Sequence, residues 1–275
     1  MGIRINTNIG AMNARRNLYN TTVNFNKSME KLSSGLRINR AADDAAGLAI
    51  SEGLKSDIRA LEQASRNASD GISLVQVAEG ALDEVSNIML RMKELAEQSL
   101  NGTLSDTERG YLDAEYTALT DEIDRIAQST EFNGVALLDG SAAASVSIQV
   151  GIDTNAYDSI DIDITTNRDS ATLGLATGID SAANAATAMG QIDTAIETIS
   201  SARSDFGAVQ NRLESSIRNI NNTAENLSAA NSRIRDVDVA SETSKLTSYQ
   251  ILQQAGVSVL AQANMTTGLA ISLLA

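Results

Sequence analysis

Residues 192–234 read IDTAIETISSARSDFGAVQNRLESSIRNINNTAENLSAANSRI, and every seventh position of this stretch is a large apolar residue. These positions are Ile192, Ile199, Phe206, Leu213, Ile220, Leu227 and Ile234. A repeat of seven aligns the side chains along one face of a slightly underwound helix, roughly 60 Å long. One helix cannot bury such a face alone. The stretch therefore predicts partner helices and favours a role in assembly.

Two further segments keep the period of seven, one from Leu54 to Ala96 and one from Leu112 to Ile126. Ser105 and Glu108 have the spacing of a capping box at the start of the second segment. The pattern predicts helices over about 44–99, 105–128 and 181–240 that pack as a bundle. The candidate seam of this bundle consists of Leu61, Leu82, Leu119, Ile199, Phe206, Leu213, Ile220 and Leu227.

Between the second and third helices the period changes from seven to two. Apolar and polar residues alternate over 146–150 and again over 160–164. This alternation predicts two strands joined by a loop over 151–159. The predicted fold class is mostly α: a long heptad-patterned antiparallel helix bundle with one small β-hairpin and paired N- and C-terminal coiled-coil arms.

The pattern divides the chain into four segments. Residues 1–42 form an N-terminal arm, and residues 236–275 form a C-terminal arm. Residues 43–180 hold the first two bundle helices and the hairpin, and residues 181–235 hold the third bundle helix.

Both arms carry apolar residues at heptad spacing. They can pair with each other, with copies in neighbouring chains or with a dedicated partner, and the sequence leaves all three open. We expect Leu260→Ala to leave the folded monomer nearly intact and to weaken assembly. The candidate polymerisation residues are Ile5, Ile9, Leu18, Phe25, Leu32, Leu36, Leu252, Val259, Leu260 and Leu273.

The composition argues against an enzyme. The chain has no histidine and no cysteine, so the usual general base near pH 7 and all thiol chemistry are missing. Asp158, Asp161, Asp163 and Asp169 do not follow the order of a calcium loop, and we expect no metal and no cofactor.

The charge distribution argues against nucleic acid as a partner, because the net charge is −14. Residues 1–42 carry a net charge of +6, residues 246–275 carry no charge, and the stretch 43–245 carries −20. Glutamine and asparagine interrupt the uncharged C-terminal stretch, so we expect no membrane span. The first residues lack the apolar core of a signal peptide.

Several motifs are highly specific in combination. Residues 32–50 read LSSGLRINRAADDAAGLAI, and Arg4-Ile5-Asn6-Thr7-Asn8 stands near the start. Glu131-Phe132-Asn133-Gly134 lies between the helical segments, and Leu260-Ala261-Gln262-Ala263-Asn264 lies near the end. In this order and spacing the chain closely resembles bacterial flagellin over about 1–140 and 180–275. Many flagellins have a proline shortly after the last motif, where this chain has Met265-Thr266-Thr267-Gly268.

The resemblance implies a self-polymerising subunit of the extracellular flagellar filament, exported without a cleavable signal peptide. With only about 141–180 available in the middle, the chain looks like a minimal form without outer variable domains. Two alternatives remain open. One is the hook–filament junction protein of the same superfamily, and the other is a coiled-coil signalling rod.

The resemblance also implies partners. An export chaperone is expected on the C-terminal arm, and filament cap and hook-associated proteins are expected at the filament ends. A flagellin-sensing Toll-like receptor of animals is implied by a patch matching Arg91, Leu95 and Glu115. The competing interpretation of this patch is packing against an adjacent subunit or ordinary pairing along a helix.

Overall fold

A computed structural model of the chain describes residues 7–141 and 145–272, with side chains described as far as Met265. Five helices dominate it: α1 (Ile9–Ser34), α2 (Ala45–Leu100), α3 (Asp106–Ser129), α4 (Ala182–Arg235) and α5 (Val239–Ser272). The strands are β1 (Glu131–Phe132), β2 (Val135–Ala136), β3 (Val146–Gln149) and β4 (Ser159–Ile162), and a 3₁₀ turn spans Ala156–Asp158. The predicted mostly helical class is confirmed.

The chain divides into two compact units. Unit 1 comprises residues 1–56 and 226–275, and unit 2 comprises residues 57–225. In unit 1, α1 and α5 pack against each other. Among the described residues, no helix is long and apolar enough to cross a membrane.

The core of unit 2 is lined by heptad positions of α2, α3 and α4. Val75, Leu82 and Met89 of α2 are fully buried, as are Ile123 of α3 and Ile192 of α4. Leu137, Leu138 and Ile162 close the cluster from the connecting segment. The period of seven thus corresponds to one continuous apolar core, as expected for packed helices.

The β3–β4 hairpin has the predicted strands. Val146 pairs with Ile162 and Ile148 pairs with Ile160, so the apolar residues of both strands share one face. Gln149 donates from Nε2 to the carbonyls of Gly151 (3.3 Å) and Asp153, which orders the loop that follows β3.

A second hairpin was not predicted. β1 and β2 are joined by Asn133 and Gly134, which both have positive φ values of 52° and 77°. A two-residue turn with positive φ at both positions matches the right-handed twist of the strands, and Asn-Gly is its preferred sequence. The signal was therefore present in the sequence motif.

The third bundle helix is shorter than the predicted 181–240. α4 ends at Arg235, and Val237 donates its N–H to the Gly35 carbonyl at 3.0 Å instead of continuing the helix. Asp238 then caps α5 by accepting hydrogen bonds from the Ala240 N–H (3.0 Å) and the Ser241 N–H (3.2 Å). α5 continues through Met265 to Ser272, as the missing proline allows.

Candidate assembly surfaces

The two arms pair through a heptad seam, which is the first of the three alternatives left open by the sequence. On α5 the buried and half-buried side chains recur at intervals of three and four. We call these residues, together with the matching ones of α1, the pairing seam. Its members on α5 are Glu242, Leu246, Tyr249, Gln253, Gly256, Leu260 and Ala263; those on α1 are Ala11, Ala14, Leu18, Thr21, Phe25, Ser28 and Leu32.

Contacts along the seam show that the two helices run antiparallel. Leu18 lies against Gly256, where an added Cβ would be 3.7 Å from the Leu18 Cβ. Near the other end, Asn8 donates from Nδ2 to the Ala263 carbonyl at 2.8 Å. The Asn8 Oδ1 also accepts from the Ala11 N–H at 3.0 Å, so Asn8 caps α1 as well.

A buried polar pair interrupts the apolar seam. The Ser28 hydroxyl donates to Glu242 Oε1 at 2.6 Å, and both residues are buried. Burial alone would raise the pKa of Glu242, but the Ser28 hydrogen bond and the Lys245 ammonium, 3.1 Å from Oε2, together hold it below its usual range. Glu242 therefore stays ionised inside the seam at neutral pH.

A different set of apolar residues on both arms lies outside the seam and is exposed. We call it the outer row. Ile9 and Val259, for example, are each 58% exposed. The members of the outer row are Ile9, Met12, Tyr19 and Met29 of α1 with Ile251, Leu252, Val257, Val259 and Met265 of α5.

The predicted polymerisation residues fall into three groups. Ile9, Leu252 and Val259 belong to the outer row. Five others are half-buried in the folded chain: Leu18, Phe25, Leu32, Leu36 and Leu260. Ile5 and Leu273 lie outside the described residues. The sequence reasoning missed Met12 and Tyr19, although their spacing of seven was a usable signal.

The position of Leu260 changes one expectation. Leu260 is half-buried on the face of α5 that packs against α1, so its truncation removes contacts within the monomer. We therefore now expect Leu260→Ala to weaken the packing of α5 against α1 in the monomer as well as assembly. Leu252 and Val259 fit the expectation of a nearly intact monomer better, because they contact little within the chain.

The long sequence motif at 32–50 forms the turn between α1 and α2. Gly35 ends α1 in the left-handed conformation, with φ 72°, which costs glycine little. Asp43 accepts from the Asn39 and Arg40 N–H groups, and the Arg40 hydrogen bond is the main reason that the pKa of Asp43 is lowered. Asp44 Oδ1 accepts from the Gly47 N–H at 2.8 Å and caps α2.

The predicted bundle seam is mostly buried. Leu61, Leu82, Ile199, Phe206, Leu213 and Ile220 are all buried. Leu119 and Leu227 are half-buried. Towards the end of α4, Ser51 donates to Asn231 Oδ1 at 2.7 Å, so polar contacts replace apolar ones there.

Only two of the three residues of the predicted receptor patch are exposed. Arg91 and Glu115 are exposed and joined by an ion pair of 2.9 Å, with Glu94 as a second partner of Arg91. Leu95 is 1% exposed and belongs to the core of unit 2. The prediction that Leu95 contributes to a surface patch is wrong for the folded monomer, because its heptad position faces the bundle.

The aspartates near the hairpin serve local turns. Asp163 Oδ1 accepts from the Thr165 hydroxyl (2.7 Å) and N–H (3.0 Å), which hold its pKa below the usual range. Asp169 Oδ1 accepts from the Thr172 N–H at 2.8 Å. Within residues 7–141 and 145–272, no group of three or more acidic side chains is arranged to hold a metal ion.

Comparison with known proteins identifies the family. Residues 5–143 match the bacterial flagellin N-terminal helical region, and residues 189–274 match the bacterial flagellin C-terminal helical region. The chain belongs to the bacterial flagellin family. The two matches leave 144–188, which contains the β3–β4 hairpin, between them.

Individual relatives support the same family assignment. A flagellin of Halalkalibacterium halodurans is 51% identical over 94% of this chain and 95% of its own length. The flagellar filament 33 kDa core protein of Treponema phagedenis is 46% identical over 98% and 99% of the two chains. The crystal structure of Bacillus cereus flagellin is 38% identical, with a TM-score of 0.52 over 60% of this chain and 94% of that one. Flagellins are structural proteins.

Proposed function

We propose that the chain is a structural subunit that polymerises with copies of itself into an extracellular bacterial flagellar filament. The observation that carries the proposal is the outer row, a set of exposed large apolar side chains on both arms. The similarity to a named filament core protein supports it. Repetition of a contact between two different surfaces of the same chain builds an open helical polymer.

The arms supply the driving force in this proposal. Burying apolar surface stabilises by about 25 cal/mol per Å², and each buried CH₂ contributes about 0.8 kcal/mol. Since the outer row is exposed in the monomer, burying it between copies adds apolar contacts without breaking those that exist within the monomer. The absence of histidine and cysteine from the sequence supports a purely structural role without catalysis.

We extend the proposal to further partners, which the resemblance to flagellin implies. An export chaperone on the C-terminal arm would cover Leu252 and Val259, which are exposed on α5 before assembly. Filament cap and hook-associated proteins would contact the filament ends through the same arms. Arg91 and Glu115 are accessible to an animal flagellin-sensing Toll-like receptor. The proposal also includes export of the chain to the outside of the cell and a minimal form of the family, with only residues 144–188 between the two matched regions.

Electron microscopy of the purified chain in high salt tests the proposed function. We expect long hollow filaments from the intact chain and none from a variant lacking residues 1–40 and 246–275, because that variant has lost both arms. Preformed filament seeds are added to a parallel sample so that slow nucleation is not mistaken for inability to grow. An intact chain that forms no filaments even on seeds would indicate a junction protein or a discrete oligomer.

Salt is expected to accelerate polymerisation at neutral pH. Unit 1 contains eleven basic and seven acidic residues, a net charge of +4, whereas unit 2 contains ten basic and 28 acidic residues, a net charge of −18. Copies therefore repel through unit 2, and the Debye length falls from about 30 Å at 0.01 M to about 10 Å at 0.1 M ionic strength. Turbidity at a series of NaCl concentrations measures the effect. Slower growth with added salt would contradict repulsion as the barrier.

A further inference from the structure

A cleft in unit 2 lies between the loop of the β3–β4 hairpin and α4. Residues 150–153 and 157–158 of the hairpin line one side of it, and residues of α4 between 212 and 223 line the other. We call it the hairpin cleft. Its volume is about 540 Å³, which falls within the range of small-molecule sites, about 300–1,000 Å³. None of its lining residues belongs to the outer row, so the proposed polymer contact leaves it without a role.

The hairpin cleft combines an apolar lining with a row of polar side chains. Leu61 of α2, Ile160 of β4 and Ile220 of α4 form the apolar part, and all three are buried. The polar lining residues of α4 share one face of the helix, since they recur at intervals of three and four. They are Arg212, Ser215, Ser216, Asn219 and Thr223. An apolar lining with a few convergent polar groups is typical of ligand sites.

Backbone hydrogen bonds fix the hairpin side of the cleft. The N–H groups of Val150 (2.7 Å) and Gly151 (3.0 Å) both donate to the Asp158 carbonyl. The Nδ2 of Asn67 on α2 donates to the Gln149 carbonyl at 3.2 Å and ties the base of the loop to the bundle. A Cβ at Gly151 would overlap the Asp158 carboxylate, so glycine allows this carboxylate to lie against the loop. The cleft therefore has its shape before any ligand binds, which lowers the entropic cost of binding.

Tyr157 lines the cleft without packing against the protein. It is 96% exposed, the highest value among the large apolar and aromatic residues that the structure describes. Aromatic side chains usually bury a large area, so an uncovered ring beside a cleft is available to a ligand. The C–H groups on one face of a sugar ring pack well against an aromatic ring, whereas the sugar hydroxyls need polar partners.

The charged groups of the cleft are available as hydrogen-bond partners. Among the described residues, Arg203 and Arg218 of α4 make ion pairs, whereas the Arg212 guanidinium has no acidic partner. Asp153 and Asp158 supply carboxylates from the loop, and neither pairs with a basic side chain in the described part of the chain. A guanidinium donates several hydrogen bonds and a carboxylate accepts several, so the two together can bind the neighbouring hydroxyls of a sugar.

The charge of the cleft favours a neutral ligand. Its lining carries two carboxylates and one guanidinium, a net charge of −1, within a unit whose net charge is −18. A phosphate or an acidic sugar would approach against this field. A purely apolar ligand is also disfavoured, because it would cover the charged groups without offering them hydrogen bonds.

We propose that the hairpin cleft binds a neutral saccharide, with the ring of Tyr157 against one face of a sugar and with Arg212 and Asp153 bonded to its hydroxyls. The inference goes beyond the proposed function and does not depend on it, because the cleft lies in unit 2 and the outer row lies on the arms. The saccharide is either a free sugar or one unit of a longer chain, since the exposed Tyr157 and Arg212 leave the cleft accessible from solvent.

Ligand-observed saturation-transfer NMR on the unpolymerised full-length chain tests the proposal. The neutral probes are maltose, mannobiose, galactobiose and chitobiose, and digalacturonic acid is the acidic counterpart of galactobiose. We expect at least one neutral probe to bind, and digalacturonic acid to bind more weakly than that probe. The best disaccharide is then compared with the hexasaccharide of the same unit. Tighter binding of the hexasaccharide indicates a chain of sugars as the ligand, and equal affinity indicates a free sugar.

The aromatic contact is tested at Tyr157. Tyr157→Ala is expected to weaken binding of the best probe about tenfold, because it removes the ring that covers one face of the sugar. Tyr157→Phe keeps the ring and is expected to stay within about threefold of the parent. Tyr111→Ala is the matched control, since Tyr111 is also exposed, at 73%, but lies outside the cleft.

The polar contacts and the position of the site are tested on α4. Arg212→Ala is expected to weaken binding about tenfold through the loss of charged hydrogen bonds. Arg218→Ala is its control, because Arg218 lies on the same helix and does not line the cleft. Ser215→Trp places a large ring inside the cleft and is expected to abolish binding. All three side chains are exposed, so thermal unfolding of these variants is expected to match the parent.

The absence of saturation transfer to every neutral probe at about 10 mM would overturn the proposal. Equal affinities of the Tyr157→Ala and Tyr111→Ala variants would also overturn it, because the sugar would then bind elsewhere on the chain. Tighter binding of digalacturonic acid than of every neutral probe would contradict the neutral class of ligand. Failure of the unmodified chain to form filaments would bear on the proposed function alone, since the titrations use unpolymerised protein.

Discussion

Replacing Leu213 by alanine is expected to lower the free energy of unfolding of unit 2 by about 2–5 kcal/mol. The Leu213 side chain is fully buried where α2, α4 and β3 approach one another. A Cβ added to Gly71 would lie 3.3 Å from Leu213 Cδ1 and 3.1 Å from Ile148 Cγ1, so little free space surrounds the leucine. Truncation therefore leaves a cavity that this close-packed site cannot fill.

Urea unfolding of the unpolymerised chain, followed by circular dichroism, measures the loss. Leu252→Ala is the matched control, because it makes the same chemical change at a side chain that is 54% exposed. The control is expected to stay within about 0.5 kcal/mol of the parent. Similar losses from the two variants would mean that burial within the monomer does not distinguish the bundle seam from the outer row.

The heptad pattern predicted the helices well because a long apolar face has few alternatives to a packed bundle. Ile192, Ile199 and Ile220 are buried as a seam requires, but Leu227 is only half-buried. Periodicity tells which side chains share a face of a helix. It does not tell which turns of that face are covered, because coverage depends on neighbours far away in the sequence.

Periodicity also does not tell which apolar residues of the arms pack within the chain. On α5, Leu246 and Leu260 lie in the pairing seam, whereas Leu252 and Val259 lie in the outer row. Both sets are apolar and keep heptad spacing, at fourteen residues for the first pair and seven for the second, so periodicity alone does not assign one set to the chain itself and the other to neighbours. Contact with α1, through Leu18 and Gly256, decides between them.

The two hairpins differ in how well the sequence pattern predicts them. β3 and β4 are four residues each, long enough for alternation to reveal the face and the pairing of Ile148 with Ile160. β1 and β2 are two residues each, too short for any period. There the only usable signal was the Asn133-Gly134 turn, which acts through backbone conformation rather than hydrophobicity.

Truncating the outer row is expected to affect the filament and to spare the monomer. In a Leu252→Ala, Val259→Ala double variant the critical concentration for polymerisation is expected to rise between about tenfold and a thousandfold. The estimate follows from about 0.8 kcal/mol for each carbon removed from a buried contact and 1.4 kcal/mol for each factor of ten. Sedimentation of filaments over a range of total protein concentrations measures the critical concentration.

Unfolding of the same double variant as a monomer supplies the contrast with Leu213→Ala. Because both side chains are more than half exposed, the monomer is expected to unfold within about 0.5 kcal/mol of the parent. An unchanged critical concentration would exclude this part of the outer row from the polymer contact. In an open-ended polymer each added copy repeats the same contact, so a modest loss per contact is paid at every step of growth. Under the proposed function, the arms are expected to control assembly without having to stabilise the bundle.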